Sequence, residues 1–403
     1  MLTHLSKNGG RAPRILVMIP SGEVYDHDCV RWYNCSDVQA SLEHYHNIGD
    51  AFVFDSSLKL LNFETLDALR IRHVRQEDID RYNSEFDYCF LRGSNYIHAS
   101  MDWENAIAVL EKLKIPVLSF GIGAQAPSKG PLVLSEATKR VMALLADRCV
   151  TMGVRGEYTA DVLWSLGIRN VRVIGCPTLF RNNRPDQRIT LPPLEDIRRV
   201  SFTLRREVCA DYSPDIKLYQ QVQREAILDA ARRFDSIEVA AQGEIEEKKV
   251  LFGTPEQRAE GLAQLEHEGW LQGADDPLRR LYDTSLFYSD VVADYEALAR
   301  RSDLVLGYRL HGNLMALANG VPSVYFTYDS RTAEFVDTFR IPAYDVYSGK
   351  PFRLEDYWDQ GLFERFNRAY YARYHDMRAF LDENGIDHKM TGSGQRPPLR
   401  LAS

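Results

Sequence analysis

The sequence predicts an α/β fold of two domains, each built on a parallel sheet, facing each other across a cleft. Three observations carry this. Apolar runs of strand length alternate with amphipathic stretches almost from end to end, the pattern of crossover units with helices on both faces of a sheet. The alternation is interrupted at Arg181–Pro193 (RNNRPDQRITLPP), a polar stretch with three prolines and two asparagines, and then restarts. With 403 residues, 45% hydrophobic and 26% charged, the chain has the size and composition for two globular cores.

The elements follow in order. Arg14–Pro20 (RILVMIP) reads as a buried strand, and Asn47–Leu61 as a loop running into a helix. Phe86–Gly93 and Pro116–Gln125 are strands with a helix over Asp102–Lys112 between them. Arg148–Gly156 is expected as strand, Thr159–Leu166 as helix and Val171–Cys176 as strand. Beyond the linker come strand Arg199–Arg205, helix Lys217–Phe234 and strand Ile237–Ala241. Gly253–Leu281 is charged and helical in pattern, with the character of an insertion. Then follow helix Val291–Arg301, strand Asp303–Tyr308, helix Leu310–Asn319, strand Pro322–Tyr328 and helix Thr332–Phe339. The expectation is two Rossmann-like domains, 1–185 and 195–345. A helical segment at 354–385 is expected to pack back across both, ahead of a disordered glycine- and proline-rich tail at 391–403.

Charge and cysteine usage exclude several classes. The net charge is −8 and no basic run of five or more occurs, which argues against nucleic acid as a partner. No secretory signal is expected in the polar segment Met1–Ala12, and no apolar run reaches the roughly 18 residues of a spanning helix. The six cysteines lie scattered without a Cys-x-x-Cys pair, as reduced thiols in a cytoplasmic protein do. Cys29, Cys35, His44 and His46 cluster, but their spacing fits no usual structural zinc pattern, and neither metal nor cofactor is expected.

In open parallel sheets ligands bind beyond the carboxyl ends of the strands. Asp303–Gly320 (DLVLGYRLHGNLMALANG) satisfies that rule best: an apolar strand ends at Gly307–Tyr308 and a helix begins near Leu310. Arg309 and His311 are two apart and project to one side of an extended segment, beside the free N–H groups of the helix start at Gly312. A guanidinium that grips phosphate or carboxylate next to a proton-carrying imidazole suits an acidic phospho-substrate. An interdomain salt bridge for Arg309 and a plain helix-terminal role for His311 stay equally open. Asn47 and Asp50 stand at a helix start, where capping is an alternative role. Asn95 follows a strand in Gly93-Ser94-Asn95, Gly123 and Gln125 end another, and Arg205 ends the first strand of the second domain. Arg155 and Glu157, around Gly156, read better as members of ion pairs. No Ser-His-Asp signature, phosphate-binding Gly-x-x-x-x-Gly-Lys loop or complete Gly-x-Gly-x-x-Gly fingerprint is present.

In this order and spacing, Asn47–Asp50, Gly93–Asn95, Gly121–Gln125, Gly153–Pro177, Ser201–Arg205 and Gly307–Asp329 (GYRLHGNLMALANGVPSVYFTYD) resemble the polysaccharide pyruvyl transferase family, over roughly residues 40 to 345. The resemblance implies a glycosyltransferase-B-like pair of domains. It also implies transfer of a pyruvyl group from phosphoenolpyruvate onto two hydroxyls of a sugar as a cyclic ketal, with release of phosphate. By the same resemblance Arg309 and Arg205, with Gly312, hold the donor and His311 is the general acid. Asn47, Asp50, Asn95, Gly123 and Gln125 then fall on the acceptor side. Asn95 stands where other members carry an acidic residue, and an amide is no base. Arginines near His311 would lower its pKa, and a bound anionic donor would reverse that. The acceptor's carrier is open, and a lipid-linked one would draw the protein to the inner membrane face. The competing readings are a nucleotide-sugar glycosyltransferase of the same build and a non-catalytic sugar- or phosphate-binding relative.

Overall fold

The computed structural model describes residues 11–19, 41–43, 45, 47–99, 101–126, 128–209 and 212–392. Cys29, Cys35, His44, His46 and most of the 391–403 tail therefore lie outside the described residues. The strands are β1 Arg14–Met18, β2 Thr65–Ala68, β3 Tyr88–Arg92, β4 Val117–Ile122, β5 Met152–Val154 and β6 Val171–Val173, then β7 Arg199–Thr203, β8 Ser236–Ala240, β9 Leu286–Phe287, β10 Leu304–Gly307, β11 Ser323–Thr327 and β12 Ala343–Asp345. The helices of the first half are α1 Ile48–Leu60, α2 Gln76–Glu85, α3 Glu104–Leu110, α4 Glu136–Arg148, α5 Glu157–Ser165 and α6 Pro177–Phe180. Those of the second are α7 Ile216–Arg233, α8 Ile245–Phe252, α9 Pro255–His267, α10 Pro277–Thr284, α11 Val292–Arg301, α12 Leu310–Ala318, α13 Ser330–Phe339 and α14 Gln360–Glu383.

Two parallel six-stranded sheets result, β2-β1-β3-β4-β5-β6 and β12-β11-β10-β7-β8-β9. Counted from its own first strand, the second has the order 3-2-1-4-5-6 of dinucleotide-binding folds, so the architecture is two Rossmann-like domains, as expected. Strand order reverses between β1 and β3 in the first sheet and between β7 and β10 in the second. These are the switch points where crossovers leave to opposite sides and open a crevice. Central strands are buried throughout: every residue of β3, up to Arg92 at its end, and of β10 is covered, as a sheet with helices on both faces requires.

Helix α1 is buried on most of its surface, including Ile48, Ala51, Phe52, Val53, Phe54 and Leu60, so it belongs in an interior. That interior is the junction of the domains. Phe52 packs edge-on to Tyr295 of α11 at 5.1 Å, and the Ile48 N–H donates to Gln242 O at 2.9 Å. Helix α14, behind the second domain in sequence, returns to the first sheet, where Phe380 stacks on Phe120 with ring centres 5.9 Å apart. One apolar cluster therefore runs from Ile15 and Phe90 through Phe339 to Phe366, Tyr374 and Phe380, and ties both domains together.

Two sequence expectations shift. The strand expected over Arg148–Gly156 is helix as far as Arg148 and strand only from Met152, because Ser135 caps α4 and the helix runs on until Arg148 reaches the carbonyl of Leu113. β2, β9 and β12 were not foreseen. All three are short edge strands in which at most one residue is buried, so they carry little apolar signal. Between β8 and β9 stand α8, α9 and α10, with a Thr254–Gln257 capping box starting α9. Among the described residues no helix is long and apolar enough to cross a membrane. Cys89, Cys149 and Cys176 are buried free thiols, while Cys209 is exposed.

Candidate active site

The polar residues of the crevice all follow strand ends. Arg92 closes β3, Asn95 and Gly123 follow β3 and β4, and Arg155 follows β5. From the second domain come Arg205 after β7, Gln242 and Glu244 after β8, Arg309 after β10 and Arg331 in the first turn of α13 after β11. Both switch points face this one place.

His311 lies in the first turn of α12, half-buried, under the start of α1. A Cβ added at Gly49 would come within 2.9 Å of its Nδ1. Burial, and then the positive charges of Arg331, Arg92, Arg155 and Arg309, depress its pKa to about 3. The ring is neutral at physiological pH and stands in a strongly positive field. Gly312 lets α12 sit close to β7 and to the loop after β8, since a Cβ there would lie 2.8 Å from Thr203 Cγ2 and 2.6 Å from Gln242 Nε2.

Arg309 is 4% exposed, and each nitrogen of its guanidinium donates a hydrogen bond. Nε donates to Leu204 O at 3.0 Å, Nη1 to the Tyr45 hydroxyl at 2.9 Å and Nη2 to the Glu244 carboxylate. Burial alone would push the Glu244 carboxyl up. The Arg309 charge and backbone N–H groups outweigh it and hold the group below the usual range. The salt bridge at Arg309 is thus made within the second domain, with a residue the sequence reading did not single out.

Arg205 and Arg331 share one acceptor: the Tyr328 hydroxyl takes a hydrogen bond from Arg205 Nη1 at 2.7 Å and from Arg331 Nη2 at 2.6 Å. The Nε atoms of both arginines are buried without a hydrogen bond among the described residues. On the first domain, Arg92 pairs with Asp50 at 3.3 Å. Arg155 pairs with Glu334 of α13 at 2.9 Å rather than with Glu157, and it donates to Asn95 Oδ1 and Ala124 O. Glu334 also accepts from the Thr159 N–H at 2.6 Å, so a carboxylate of the second domain caps α5, whose own N-cap, Gly156, has no side chain.

The five residues placed on the acceptor side are all brought near these arginines. Asn47 caps α1 by accepting from the Gly49 N–H at 3.2 Å, and Asp50 binds Arg92. Asn95 binds Arg155, Gly123 leaves room for it (a Cβ would sit 2.0 Å from Arg155 Nε), and Gln125 donates to Asp329 at 3.1 Å across the domains. Arg92, Arg331, Glu244 and Tyr45 were not foreseen. Arg92 reads as the tail of an apolar strand and Arg331 as a helix residue, and only strand-end position could have flagged them. Among the described residues no group of three or more His, Cys, Asp or Glu could hold a metal ion.

A family model for polysaccharide pyruvyl transferases matches residues 47–330, the span that contains Arg92, Arg155, Arg205, Arg309 and His311. The chain belongs to the polysaccharide pyruvyl transferase family. That membership makes it a transferase of polysaccharide pyruvylation. No curated protein matches the chain. Solved structures similar to it include UDP-GlcNAc 2-epimerase from Neisseria meningitidis bound to UDP-GlcNAc, at 13% identity, 87% of this chain, 83% of that chain and a TM-score of 0.40. The S. aureus MnaA–UDP structure is similar at 10% identity, covering 94% of this chain and 100% of that one, with a TM-score of 0.43. Trehalose-6-phosphate synthase OtsA is similar at 12%, covering 85% and 78%, with a TM-score of 0.40. Nothing about activity passes from these to the pyruvyl transferase-family chain.

Proposed function

We propose that this transferase moves a pyruvyl group from phosphoenolpyruvate onto two hydroxyls of a sugar in a glycan or its precursor, releasing phosphate. The observation that carries the reading is a neutral imidazole ringed by four arginine charges at the meeting of two switch points. Such a field selects a small ligand with a carboxylate and a phosphate, and the ligand in turn makes the imidazole basic enough to hold a proton. Arg205 offers an Nε that holds no hydrogen bond among the described residues, and Arg331 adds its charge while its Nε faces the Asp329 carboxylate at 3.6 Å. Arg309 reaches it with the guanidinium N–H groups that its three hydrogen bonds leave over. Asp50 and Asn95 take part by orienting Arg92 and Arg155.

His311 then protonates the methylene carbon of the enol, and a sugar hydroxyl adds to the cationic carbon beside it. A second hydroxyl closes the ketal as phosphate departs, its charge stabilised by the arginines. Of the two hydroxyl protons, one ends in the new methyl group by way of His311 and the other leaves with phosphate. His311→Ala loses most turnover while donor binding partly survives. A phosphate-release assay with phosphoenolpyruvate and a set of glycan precursors tests this, and near-normal release from the variant refutes it.

A further inference from the structure

Beside the arginine cluster, past Arg205 and Tyr45, lies a cavity of about 570 Å³, within the roughly 300–1,000 Å³ of small-molecule sites. Tyr45, Arg205, Arg206, Glu207, Tyr212 and Glu268 are among its lining residues. Its charge differs from that of the donor site. Arg206 is surrounded by carboxylates, pairing with Glu247 at 3.0 Å and with Glu246, Glu268 and Glu207. In the lining itself two arginines face two glutamates, so an anion gains little there. Two aromatic rings remain. Arg309 packs over Tyr45 at 5.8 Å and Arg205 over Tyr212 at 5.9 Å, so one face of each ring is covered by a guanidinium. Tyr45 is 40% exposed although its hydroxyl is fixed by Arg309, an apolar surface held rigid at little entropic cost.

Rigid aromatic faces beside carboxylates and an amide, with balanced charge, match a hydroxyl-rich neutral ring. The C–H face of a pyranose covers apolar surface while its hydroxyls donate to carboxylate oxygens. We propose that this cavity seats an uncharged pyranose, with Tyr45 and Tyr212 as its platform and Glu207 and Gln220 as hydroxyl partners. Naming that sugar the acceptor rests on the pyruvyl-transfer reading, whereas the sugar site does not. Burial, and then the nearby charge of Glu244, push the Glu207 carboxyl up to about 7, so near neutral pH it can both accept from and donate to a hydroxyl. Tyr45 joins the two sites, one edge on the cavity and its hydroxyl on Arg309. The cavity also supplies what the residues around Asn95 do not, since Asn95 and Asp50 are spent on arginines, Gln125 on Asp329 and Asn47 on capping α1.

The test uses the full chain and methyl pyranosides of glucose, galactose, mannose, N-acetylglucosamine and N-acetylmannosamine as probes, read by saturation-transfer NMR. Phosphoenolpyruvate-induced thermal stabilisation reports the donor site separately. At least one pyranoside binds the wild type, and Glu207→Ala weakens it about tenfold with the donor response unchanged; Tyr212→Ala weakens it as much and, because Arg205 packs on that ring, is read by sugar binding alone. Gln220→Ala, on the partly exposed face of α7, serves as a third variant should either of the others unfold. No pyranoside bound at tens of millimolar, or binding unaltered in the variants, overturns the proposal. So does UDP competing with the sugar for the cavity. Sugar binding lost in the variants, with no donor response even in the wild type, leaves the cavity proposal standing and refutes the pyruvyl-transfer reading instead.

Discussion

The protonation of His311 should be coupled to donor binding, and the structure sets the size of the effect. Without ligand its pKa is depressed to about 3 by burial and by the charges of Arg331, Arg92, Arg155 and Arg309. An anionic group about 4 Å from the ring at an effective dielectric near 20 contributes about 4 kcal/mol, which is about three pH units. The nearer charged group of the donor therefore returns the imidazole to about its ordinary pKa near 6.5, and the second carries it to neutrality or above. Binding at pH 7–8, where the phosphate group is already close to a dianion, then takes up close to one proton. Affinity should weaken up to about tenfold per pH unit over that range. Calorimetry in two buffers of different ionisation enthalpy measures the uptake. NMR titration of the histidine ring resonance missing from His311→Gln measures the pKa directly. Equal titration with and without phosphoenolpyruvate, or binding without proton uptake, refutes the reasoning.

The same residue shapes stability in the absence of donor. A histidine whose folded pKa lies below its unfolded value of about 6.5 costs nothing above that pH and destabilises below it, so wild type should lose about 2 kcal/mol between pH 6.5 and 5 that His311→Gln keeps, measured by denaturant unfolding. Arg309→Ala leaves Glu244 buried without its cation, and should lose about 3–5 kcal/mol along with most donor-induced stabilisation; Arg309→Ala with Glu244→Gln should regain stability but not donor binding. Gly123→Ala forces the Arg155 guanidinium aside and should weaken donor binding about tenfold in a thermal-shift titration, an effect absent if Arg155 does not face the donor. Phe380→Ala removes the ring stacked on Phe120 and should cost about 3–5 kcal/mol, with α14 then showing faster hydrogen exchange than α7.

Much of the architecture is legible in the chain because the local signals agree. Runs such as RILVMI and LVLG can be satisfied only as strands buried on both faces, and the amphipathic stretches between them can cover those faces only by crossing over. The same locality makes Arg309 and His311 legible, since a strand end followed directly by a helix start is written within a few residues. What only the tertiary structure decided are the partners drawn from distant segments. Arg92, Arg155 and Arg331 are separated by tens to hundreds of residues and converge because two switch points face each other. Glu334 caps a helix of the other domain, and Glu244 neutralises Arg309 from the end of a different strand. Periodicity reports which face of an element is buried, not what lies against it. A charge set assembled from strand ends of two sheets therefore exists only once strand order and domain contact are in place.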